Sequence, residues 1–570
     1  MNEASRRWLL GAAVFLLLFW MIGSPLLVTF VQALSRTPSL DPAGVADPAM
    51  AASAALPSPF VEFAERPAEW AALGRSLWIS IASVVLSAAV GVPLAFLFAR
   101  TDFPGRRTLG ELLALPVALP PLVGVIAFLY LYGESGFATK FVAGLLGIES
   151  APWRLVGPTA ILLVHTYSMY VYFYLFTRAA LARFDGAELE AAASLGAGRM
   201  RRFVRVLLPG ISPALAGAAL LTFLTALGSF SAPYIFGGSY RVMTTQILAS
   251  KQNGDVDMAE VETVVLTVAA IVGLLLLRRF ERAGGGSSVP RGVAPARRRM
   301  RSRAGRLGAT IAGWGLALFL LLPHLTLVLI SLVPRATWTR EPFPPVLAFD
   351  NYRSLFASAQ GLRPIGNSLW MALAATGAAL ALGYLAARRA LDRRPGAAFW
   401  ARPIGFLLAL PWAIPATAFA VALAFAMSVH RPLAGRFLLI GTVFLLPFAY
   451  LVRALPSTGQ AALAALARFD RSLEEAAASL GAGKLPTFLR VTWPRIRPAM
   501  AAGASLAFLG AFGDFVVSIV LYTWDTRPIS IEILSNLRLQ ETGVAAALGV
   551  LLTAISATAF LLWGRESESR

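Results

Sequence analysis

The sequence contains no cysteine, only three histidines and few charged side chains, which make up 14% of its 570 residues. The absence of cysteine excludes a disulfide framework, a thiolate metal site and a cysteine nucleophile. His165, His324 and His430 lie far apart, and no His-Glu-x-x-His pattern occurs, so a metalloenzyme has no ligand set. With 57% hydrophobic residues, the composition instead indicates a chain whose main solvent is lipid. We expect neither a metal nor a cofactor.

A phosphate-binding loop is also missing. No Gly-x-x-x-x-Gly-Lys-[Ser/Thr] pattern occurs. The nearest approach, at Gly483-Lys484, has Ala478 where the first glycine is required and Leu485 where the hydroxyl is required. The chain is therefore not expected to hydrolyse ATP, and we do not predict an enzyme.

Acidic residues are scarce relative to basic ones, 30 against 50, which gives a formal net charge of +20. In a soluble protein such an excess would favour nucleic acid as a partner. Here the arginines cluster in short segments between apolar runs, a pattern typical of cytoplasmic loops next to anionic lipid. These arginine-rich segments follow every second apolar run, so all of them lie on the same side of the membrane. We therefore predict membrane lipid as a partner, no nucleic acid, and both termini in the cytoplasm.

Long apolar runs are abundant and predict an all-α polytopic membrane protein with about twelve transmembrane helices. The first run follows Arg6 and Arg7 like a signal peptide, but it is too long for one. We therefore retain it as a span. The predicted spans are Trp8–Leu34, Leu73–Ala99, Leu109–Tyr132, Leu155–Ala180, Ile211–Ile235, Ala259–Leu277, Leu307–Val333, Ile365–Ala387, Pro403–Met427, Phe437–Leu455, Ala499–Tyr522 and Val544–Trp563.

The chain repeats itself. Residues 182–214 and 467–499 are nearly the same sequence, and a constant shift, 475 − 190 = 285, carries Glu190 onto Glu475. Six spans in each half leave the two halves in the same orientation, so we predict parallel repeats about an axis along the membrane normal. The predicted divisions are a first repeat at 1–283, a flexible Gly/Ser/Arg linker at 284–306 and a second repeat at 307–570.

Each repeated segment is polar, basic and flanked by spans, so it is predicted to be a loop containing a short helix, a turn and a second helix. Glu190 and Glu475 lie in the helix-forming part, and Gly196 and Gly481 supply the stop. Small exposed alanines suit a helix that enters a groove on a partner. A duplicated helix that lies on the membrane surface is the alternative.

The spacing in these loops resembles the cytoplasmic loop of the membrane subunits of binding-protein-dependent ABC importers. Both copies carry Glu-Ala-Ala, three residues, Gly, nine residues, an apolar residue, one more residue and then an apolar-Pro pair. The last parts are Val206 with Leu208-Pro209 in the first copy and Val491 with Trp493-Pro494 in the second, where a tryptophan replaces the usual aliphatic residue. The resemblance implies the type I importer permease fold, with a coupling helix in each loop, 182–210 and 467–495, that docks on an ATPase subunit. The residues it assigns to coupling are Glu190, Ala191, Ala192, Gly196, Glu475, Ala476, Ala477 and Gly481.

The two loops imply two ATPase subunits on the cytoplasmic side, and the family implies an external solute-binding protein and the bacterial inner membrane. The fused two-half layout resembles permeases for ferric iron and thiamine. Ferric iron is the preferred cargo, with thiamine, a polyamine or another small organic solute as alternatives. A secondary transporter, the more distant alternative, would need several intramembrane carboxylates, and Asp514 stands nearly alone.

A transport pathway is predicted near prolines four residues apart inside two spans, because such prolines free backbone carbonyls. Pro120 and Pro415 end the two pairs. Asp514, His165 and Tyr167 are further candidates to line the pathway. The alternative for these prolines is a packing kink. The alternatives for Asp514 are an interhelical hydrogen bond or a hydrated site near the outer surface, and those for Tyr167 and the tyrosines that follow it are helix packing or an aromatic belt.

Overall fold

The computed structural model describes residues 2–34, 58–114, 116, 120–283, 298–299, 302–334, 344–428 and 438–568. Most of the predicted linker, 284–306, and His430 lie outside the described residues. In the first half the helices are α1 (Glu3–Leu18), α2 (Ser24–Leu34), α3 (Pro59–Glu65), α4 (Pro67–Arg100), α5 (Arg106–Leu112), α6 (Pro121–Tyr132), α7 (Phe137–Leu146), α8 (Gly157–Arg183), α9 (Gly186–Ser194), α10 (Arg199–Arg202), α11 (Leu208–Leu227), α12 (Ser231–Phe236), α13 (Met243–Gln252) and α14 (Val256–Ala283).

The second half follows the same order. Its helices are α15 (Arg303–Ser331), α16 (Asp350–Ala357), α17 (Ala359–Ala390), α18 (Ala398–Ala413), α19 (Ala416–Ala426), α20 (Leu445–Arg468), α21 (Ser472–Ser479), α22 (Lys484–Thr487), α23 (Trp493–Phe512), α24 (Val516–Leu521), α25 (Ile529–Arg538) and α26 (Thr542–Glu568). Two-residue strands, β1 (Thr101–Asp102) and β2 (Arg298–Arg299), pair in parallel. Single π-helical turns lie at Phe19–Gly23, Phe203–Leu207 and Phe488–Thr492.

The helices confirm an all-α polytopic membrane protein. In the described part of the chain, 9 helices are long and apolar enough to cross a membrane, or 10 if the bent pair α18 and α19 is one span. Helices α20 and α23 overlap the two remaining predicted spans, Phe437–Leu455 and Ala499–Tyr522, but begin and end at other residues, and they are not among these candidates. Each contains arginines, which lower its hydropathy. Together they account for the roughly twelve predicted positions.

Two of the predicted spans are interrupted. The span Leu109–Tyr132 is broken between α5 and α6, and the span Pro403–Met427 is bent by 112° between α18 and α19. Pro120 and Pro415 each stand immediately before the second helix of their pair. Proline lacks the N–H that would continue the preceding helix, and its fixed φ suits a helix start, so the breaks fall where the proline pairs lie.

The residues form two compact units, and each unit draws on both halves of the chain. Unit 1 comprises Met1–Pro67, Gln246–Thr267 and Ala348–Arg570, and unit 2 comprises Ala68–Thr245 and Val268–Leu347. Unit 1 thus contains α1 and α2 from the first half, and unit 2 contains α15 from the second half. The repeat boundaries predicted in the sequence stay a prediction.

Within unit 1, aromatic side chains attach α1 to α18. The rings of Trp8 and Phe15 lie 5.5 and 5.0 Å from the ring of Trp400. Gly11 permits this approach, because a Cβ atom at that position would lie 2.6 Å from Trp400 Cδ1. Such ring contacts contribute about 0.5–1.5 kcal/mol each beyond their buried area.

Within unit 2, α15 packs against α5, α6 and α8. Ala317 and Leu320 belong to a buried cluster with Leu109, and the Tyr167 hydroxyl donates to the Leu320 carbonyl oxygen at 2.5 Å. A Cβ on Gly313 would lie 2.9 Å from Leu109 Cδ1, so this glycine allows the helix to approach closely. Small residues at such contacts are typical of helix packing in lipid.

Candidate functional site

The two repeated loops contain matching short helices, α9 and α21, which we call the first and second loop helix. An aspartate precedes each loop helix, and its carboxylate accepts a hydrogen bond from the backbone N–H two residues later. Asp185 accepts from Ala187 and Asp470 accepts from Ser472, both at 3.0 Å. This aspartate satisfies one of the N–H groups that a helix start leaves unpaired. Hydrogen bonds from Ser472 also lower the pKa of the exposed Asp470 carboxyl.

Both loop helices end in the same left-handed turn. Gly196 and Gly481 have φ values of 78° and 80°, and their N–H groups donate to Ala193 and Ala478 at 3.0 Å. The next residue in each loop donates five residues back, also at 3.0 Å, which completes a Schellman motif. The predicted helix, glycine stop and second helix are therefore confirmed in both copies.

The face that the loop helices expose is the same in both copies. Glu190 and Glu475 are exposed, as are Ala191 and Ala476, whereas Ala192 and Ala477 are half-buried. The leucine before each glycine was not among the predicted site residues, although Leu195 and Leu480 are 88% and 89% exposed. An apolar residue immediately before a C-cap glycine was the available signal. Each loop therefore presents the same exposed apolar side chain beside its glycine turn.

After each loop the chain passes through one π-helical turn, Phe203–Leu207 and Phe488–Thr492, before the next long helix begins. The shift 488 − 203 = 285 is the shift of the sequence repeat. Single π-turns inside helices are uncommon and often occur at functional sites. The π-helical turn that leads into the following helix is therefore repeated in the two halves, as is the loop itself.

His165 is buried on α8 between two hydroxyl groups. Its Nδ1 lies 2.8 Å from Ser83 Oγ, and its Nε2 lies 2.8 Å from Ser229 Oγ. Both ring nitrogens therefore have partners, one on α4 and one in the segment between α11 and α12. Tyr167 is 7% exposed and donates to Leu320, as described above. These contacts are those of the helix-packing alternative, and a pathway role for either residue stays a prediction.

Asp514 caps a short helix after α23. Its Oδ1 accepts from the backbone N–H groups of Val517 and Ser518 at 2.9 and 3.0 Å, and from Ser518 Oγ at 3.0 Å. The equivalent position in the first half is Ser229, the partner of His165. Each unit therefore has a polar cluster at this position, made from different residues. The cap supplies a structural role for Asp514 and leaves its predicted pathway role untested.

Arg453 was not predicted as a site residue, although it lies within the predicted span Phe437–Leu455. It lies inside α20 and donates from Nη1 to the carbonyl oxygens of Pro411 and Ile414, at 2.6 and 3.0 Å. These carbonyls lie at the bend between α18 and α19. An arginine within an apolar segment, in the span after a proline pair, was the signal that could have indicated this contact.

We expect Arg453→Met to destabilise the protein, because two carbonyl groups at the bend lose their donor. An unsatisfied buried polar group costs about 1–3 kcal/mol. Thermal unfolding of the purified protein in detergent should show a lower midpoint than wild type. Arg468→Met is the control, because Arg468 lies exposed at the end of the same helix. Equal midpoints for the two variants would contradict the bracing role of Arg453.

Two buried carboxylates on α14 were also missed. Glu260 and Glu262 are 3% and 0% exposed, and Glu262 Oε1 accepts from Ser250 Oγ at 2.8 Å. Asp514 is therefore not as isolated as the sequence analysis supposed, and the scarcity of carboxylates is a weaker argument against a secondary transporter. The assignment depends instead on relatedness to known proteins.

Known transport permeases are similar to this chain, two of them over most of it and one over about a third. A protein described as a probable ABC transporter permease of Sinorhizobium fredii is 28% identical over 493 residues, which are 85% of each chain. A ferric transport system permease of Actinobacillus pleuropneumoniae is 26% identical over 85% of this chain and 69% of its own. A thiamine transport system permease of Brucella abortus is 30% identical over 36% of this chain and 38% of its own.

Among solved structures, a bacterial ABC transporter that imports the acidic polysaccharide alginate has a TM-score of 0.35 and 18% identity, over 46% of this chain and 97% of that chain. The family model for the inner membrane component of binding-protein-dependent transport systems matches twice, at residues 91–283 and 379–564. The two matches include both loop helices. The chain belongs to the family of binding-protein-dependent transport system inner membrane components, and it contains two copies of the family's domain.

Proposed function

We propose that this chain forms the complete transport pathway of an ABC importer and that one ATPase subunit docks on each loop helix from the cytoplasm. The observation that carries this proposal is the equality of the two loops. They share the aspartate cap, the left-handed glycine, the exposed glutamate and leucine, and the following π-turn. Two equal surfaces suit two copies of one partner.

The coupling residues in this proposal are those of the exposed face and the turn. Glu190 and Glu475 would make polar contacts with the ATPase, the alanines after them would fit its groove, and Gly196 and Gly481 would set the turn. The repeats would extend over 1–283 and 307–570, joined by a cytoplasmic linker. Both termini would then lie in the cytoplasm, on the same side of the inner membrane as the loops.

The cargo we propose is ferric iron, handed over by an external solute-binding protein. The A. pleuropneumoniae relative, a ferric permease, supports this choice, and thiamine is the alternative that the B. abortus relative supports. No group of three or more His, Asp or Glu side chains is placed to hold a metal ion within the described residues. A permease of this kind passes its cargo without tight binding, since conduction requires release.

Reconstituted transport tests the proposal. Proteoliposomes containing the permease with the ATPase and binding protein of its own bacterium should take up radiolabelled ferric citrate only when ATP and the binding protein are both present. Labelled thiamine and a labelled polyamine serve as competing cargoes. Uptake driven by an ion gradient without ATP would contradict the importer, whereas ATP-dependent uptake of thiamine alone would correct only the cargo.

Within this proposal, Asp514→Asn should leave ferric uptake within about twofold of wild type, because the amide oxygen can still accept from the two N–H groups that Asp514 caps. Asp514→Ala should lower the unfolding midpoint, since loss of a cap costs about 1 kcal/mol. Calorimetric titration of the purified permease with ferric citrate should show no tight binding. Submicromolar binding that Asp514→Asn abolishes would replace this picture with a dedicated intramembrane site.

A further inference from the structure

The two loop helices differ in how they are attached to the helices behind them. The shift of 285 carries Leu189 onto Glu474 and Leu207 onto Thr492. In α4 and α17 the shift is 368 − 76 = 292. Ser76 and Ser368 each accept from the N–H of the first residue of a matching helix, Met243 of α13 at 2.7 Å and Ile529 of α25 at 2.9 Å.

The same shift, 388 − 96 = 292, carries Phe96 onto Arg388. We call Phe96, Leu189 and Leu207 the apolar anchor, and Arg388, Glu474 and Thr492 the polar anchor. The two anchors occupy equivalent positions in the two repeats.

The apolar anchor lies within unit 2. Leu207 is 2% exposed and belongs to a buried cluster, and Phe96 and Leu189 pack against that cluster. The ring of Phe96 also lies 5.7 Å from the ring of Phe203 in the π-turn. Apolar contacts of this kind depend little on salt, because no charge takes part in them.

The polar anchor lies within unit 1. Glu474 accepts from Arg388 Nη2 at 3.1 Å with one carboxylate oxygen, and from the buried Thr492 hydroxyl at 2.7 Å with the other. Arg388 Nη1 donates to the Tyr384 hydroxyl at 2.9 Å, and the Tyr384 ring lies 5.3 Å from that of Phe488. A carboxylate on the second loop helix is thus joined to α17 and to the π-turn.

Water and salt can reach this ion pair. The side chains of Arg388 and Glu474 are 45% and 23% exposed, and both line a cavity of about 310 Å³. Salt shortens the range of Coulomb attraction from about 10 Å at 0.1 M to about 3 Å at 1 M. A partly exposed pair of this kind therefore weakens as salt rises, although less than a fully exposed pair would, whereas the apolar anchor does not.

We propose that Arg388, Glu474 and Thr492 are positioning residues that hold the second loop helix through a salt-sensitive link, and that the first loop helix is held by a salt-insensitive apolar contact. The attachment itself is independent of any partner. Its consequence for transport rests on the proposed function: the two ATPase-docking sites differ in mechanical stiffness, and salt loosens only the second.

The absence of cysteine permits a direct test on the full chain in lipid nanodiscs, without any partner or cargo. Spin labels are attached to Leu195→Cys or Leu480→Cys, two positions of nearly equal exposure, 88% and 89%. On raising NaCl from about 0.05 to 1 M, the mobile fraction should rise about twofold at position 480 and stay constant at position 195, as expected for a screened ion pair. Equal salt responses at the two positions would overturn the proposal.

Three variants with the label at position 480 separate positioning from general destabilisation. Glu474→Gln should give the mobile spectrum already at low salt. The exchange R388E/E474R should restore the immobile spectrum at low salt, because opposite charges again face each other. R388F/E474L/T492L, which copies the apolar anchor, should give an immobile spectrum that no longer responds to salt. An exchange variant as mobile as Glu474→Gln, at an unchanged unfolding midpoint, would refute the link.

A second measurement separates this inference from the proposed function. Binding of the purified ATPase to wild-type permease is measured first, because no binding at any salt would refute the proposed docking and leave the spectroscopic result standing. With binding established, Glu474→Gln should raise the number of ATP molecules hydrolysed per imported ferric ion by about twofold. This loss of coupling efficiency corresponds to the small free energy expected for one ion pair near the surface. If the label became mobile and the ratio of ATP hydrolysed to ions imported did not change, the polar anchor would have a structural role only, and its role in coupling would be refuted.

Discussion

Replacing Gly196 and Gly481 together with proline is expected to abolish ATP-driven uptake while the spans remain folded. Both glycines have φ near +80°, and proline is fixed near −65°, so the left-handed turn cannot form. Each proline also removes the N–H that closes the turn on Ala193 or Ala478. A loss of about 3 kcal/mol per turn corresponds to a roughly hundredfold smaller population of the ordered loop.

The chain supplies its own controls two residues further on. Gly198 and Gly483 have φ values of −64° and −69°, within the range of any residue, and a Cβ added to either would meet no atom closer than 3.8 Å. Gly198→Ala with Gly483→Ala should therefore transport like wild type, and Gly196→Ala with Gly481→Ala should fall between the two. Uptake and binding-protein-stimulated ATP hydrolysis are measured in proteoliposomes. Full activity of the double proline variant would refute the coupling role of the loops.

Neither half of the chain is expected to accumulate alone, whereas the halves Met1–Gly285 and Gly286–Arg570 should assemble when they are produced together. In unit 2, the first half needs α15 as the acceptor for the Tyr167 hydroxyl and as a packing partner for Leu109. In unit 1, the second half needs α1 beside Trp400. An unsatisfied hydroxyl and a poorly filled face in lipid are costly, and losses of about 1–2 kcal/mol already reduce abundance several-fold in cells.

Membrane fractions are compared for the amount of each tagged half, for copurification and for ferric uptake. The matched control is Met1–Gly285 produced with a second half that lacks residues 302–334, which should fail to stabilise it. If Met1–Gly285 alone reached the level and protease resistance of the co-produced pair, the exchange of first helices between the units would not matter for stability. A pair that assembles but does not transport would show that the linker is more than a tether.

Local features of the loops could be predicted from the sequence, because a helix end is decided by residues within one turn of it. Gly196 and Gly481 stop the loop helices where glycine can take a positive φ, and the structure confirms both stops. The spans were predictable for a related reason, since hydropathy sums over neighbouring residues. The helix starts after Pro120 and Pro415 followed from a local chemical defect, although the bend of 112° at the second did not.

Other features of the candidate site depend on partners far away in the sequence. Arg453 could be assigned to a loop or to a helix until its guanidinium was placed beside the carbonyls of Pro411 and Ile414, about forty residues earlier. His165 was predicted to line the pathway, and its position between Ser83 and Ser229 became visible only when α4, α8 and the turn after α11 were packed together. The composition of a helix does not determine which of its faces packs against which other helix, so such contacts cannot be predicted from it.

The sequence by itself determined that the chain spans a membrane, that it contains two copies of one domain and that each copy presents a capped loop helix, because hydropathy, repetition and capping are read along the chain. The tertiary structure alone decided that the first helix of each half joins the unit formed by the other half, and that the second loop helix is held by Glu474 and Arg388 where the first is held by Leu189 and Phe96. In lipid, helix association is set by side-chain packing and hydrogen bonds between distant segments rather than by hydropathy, so these pairings were fixed only when the helices met.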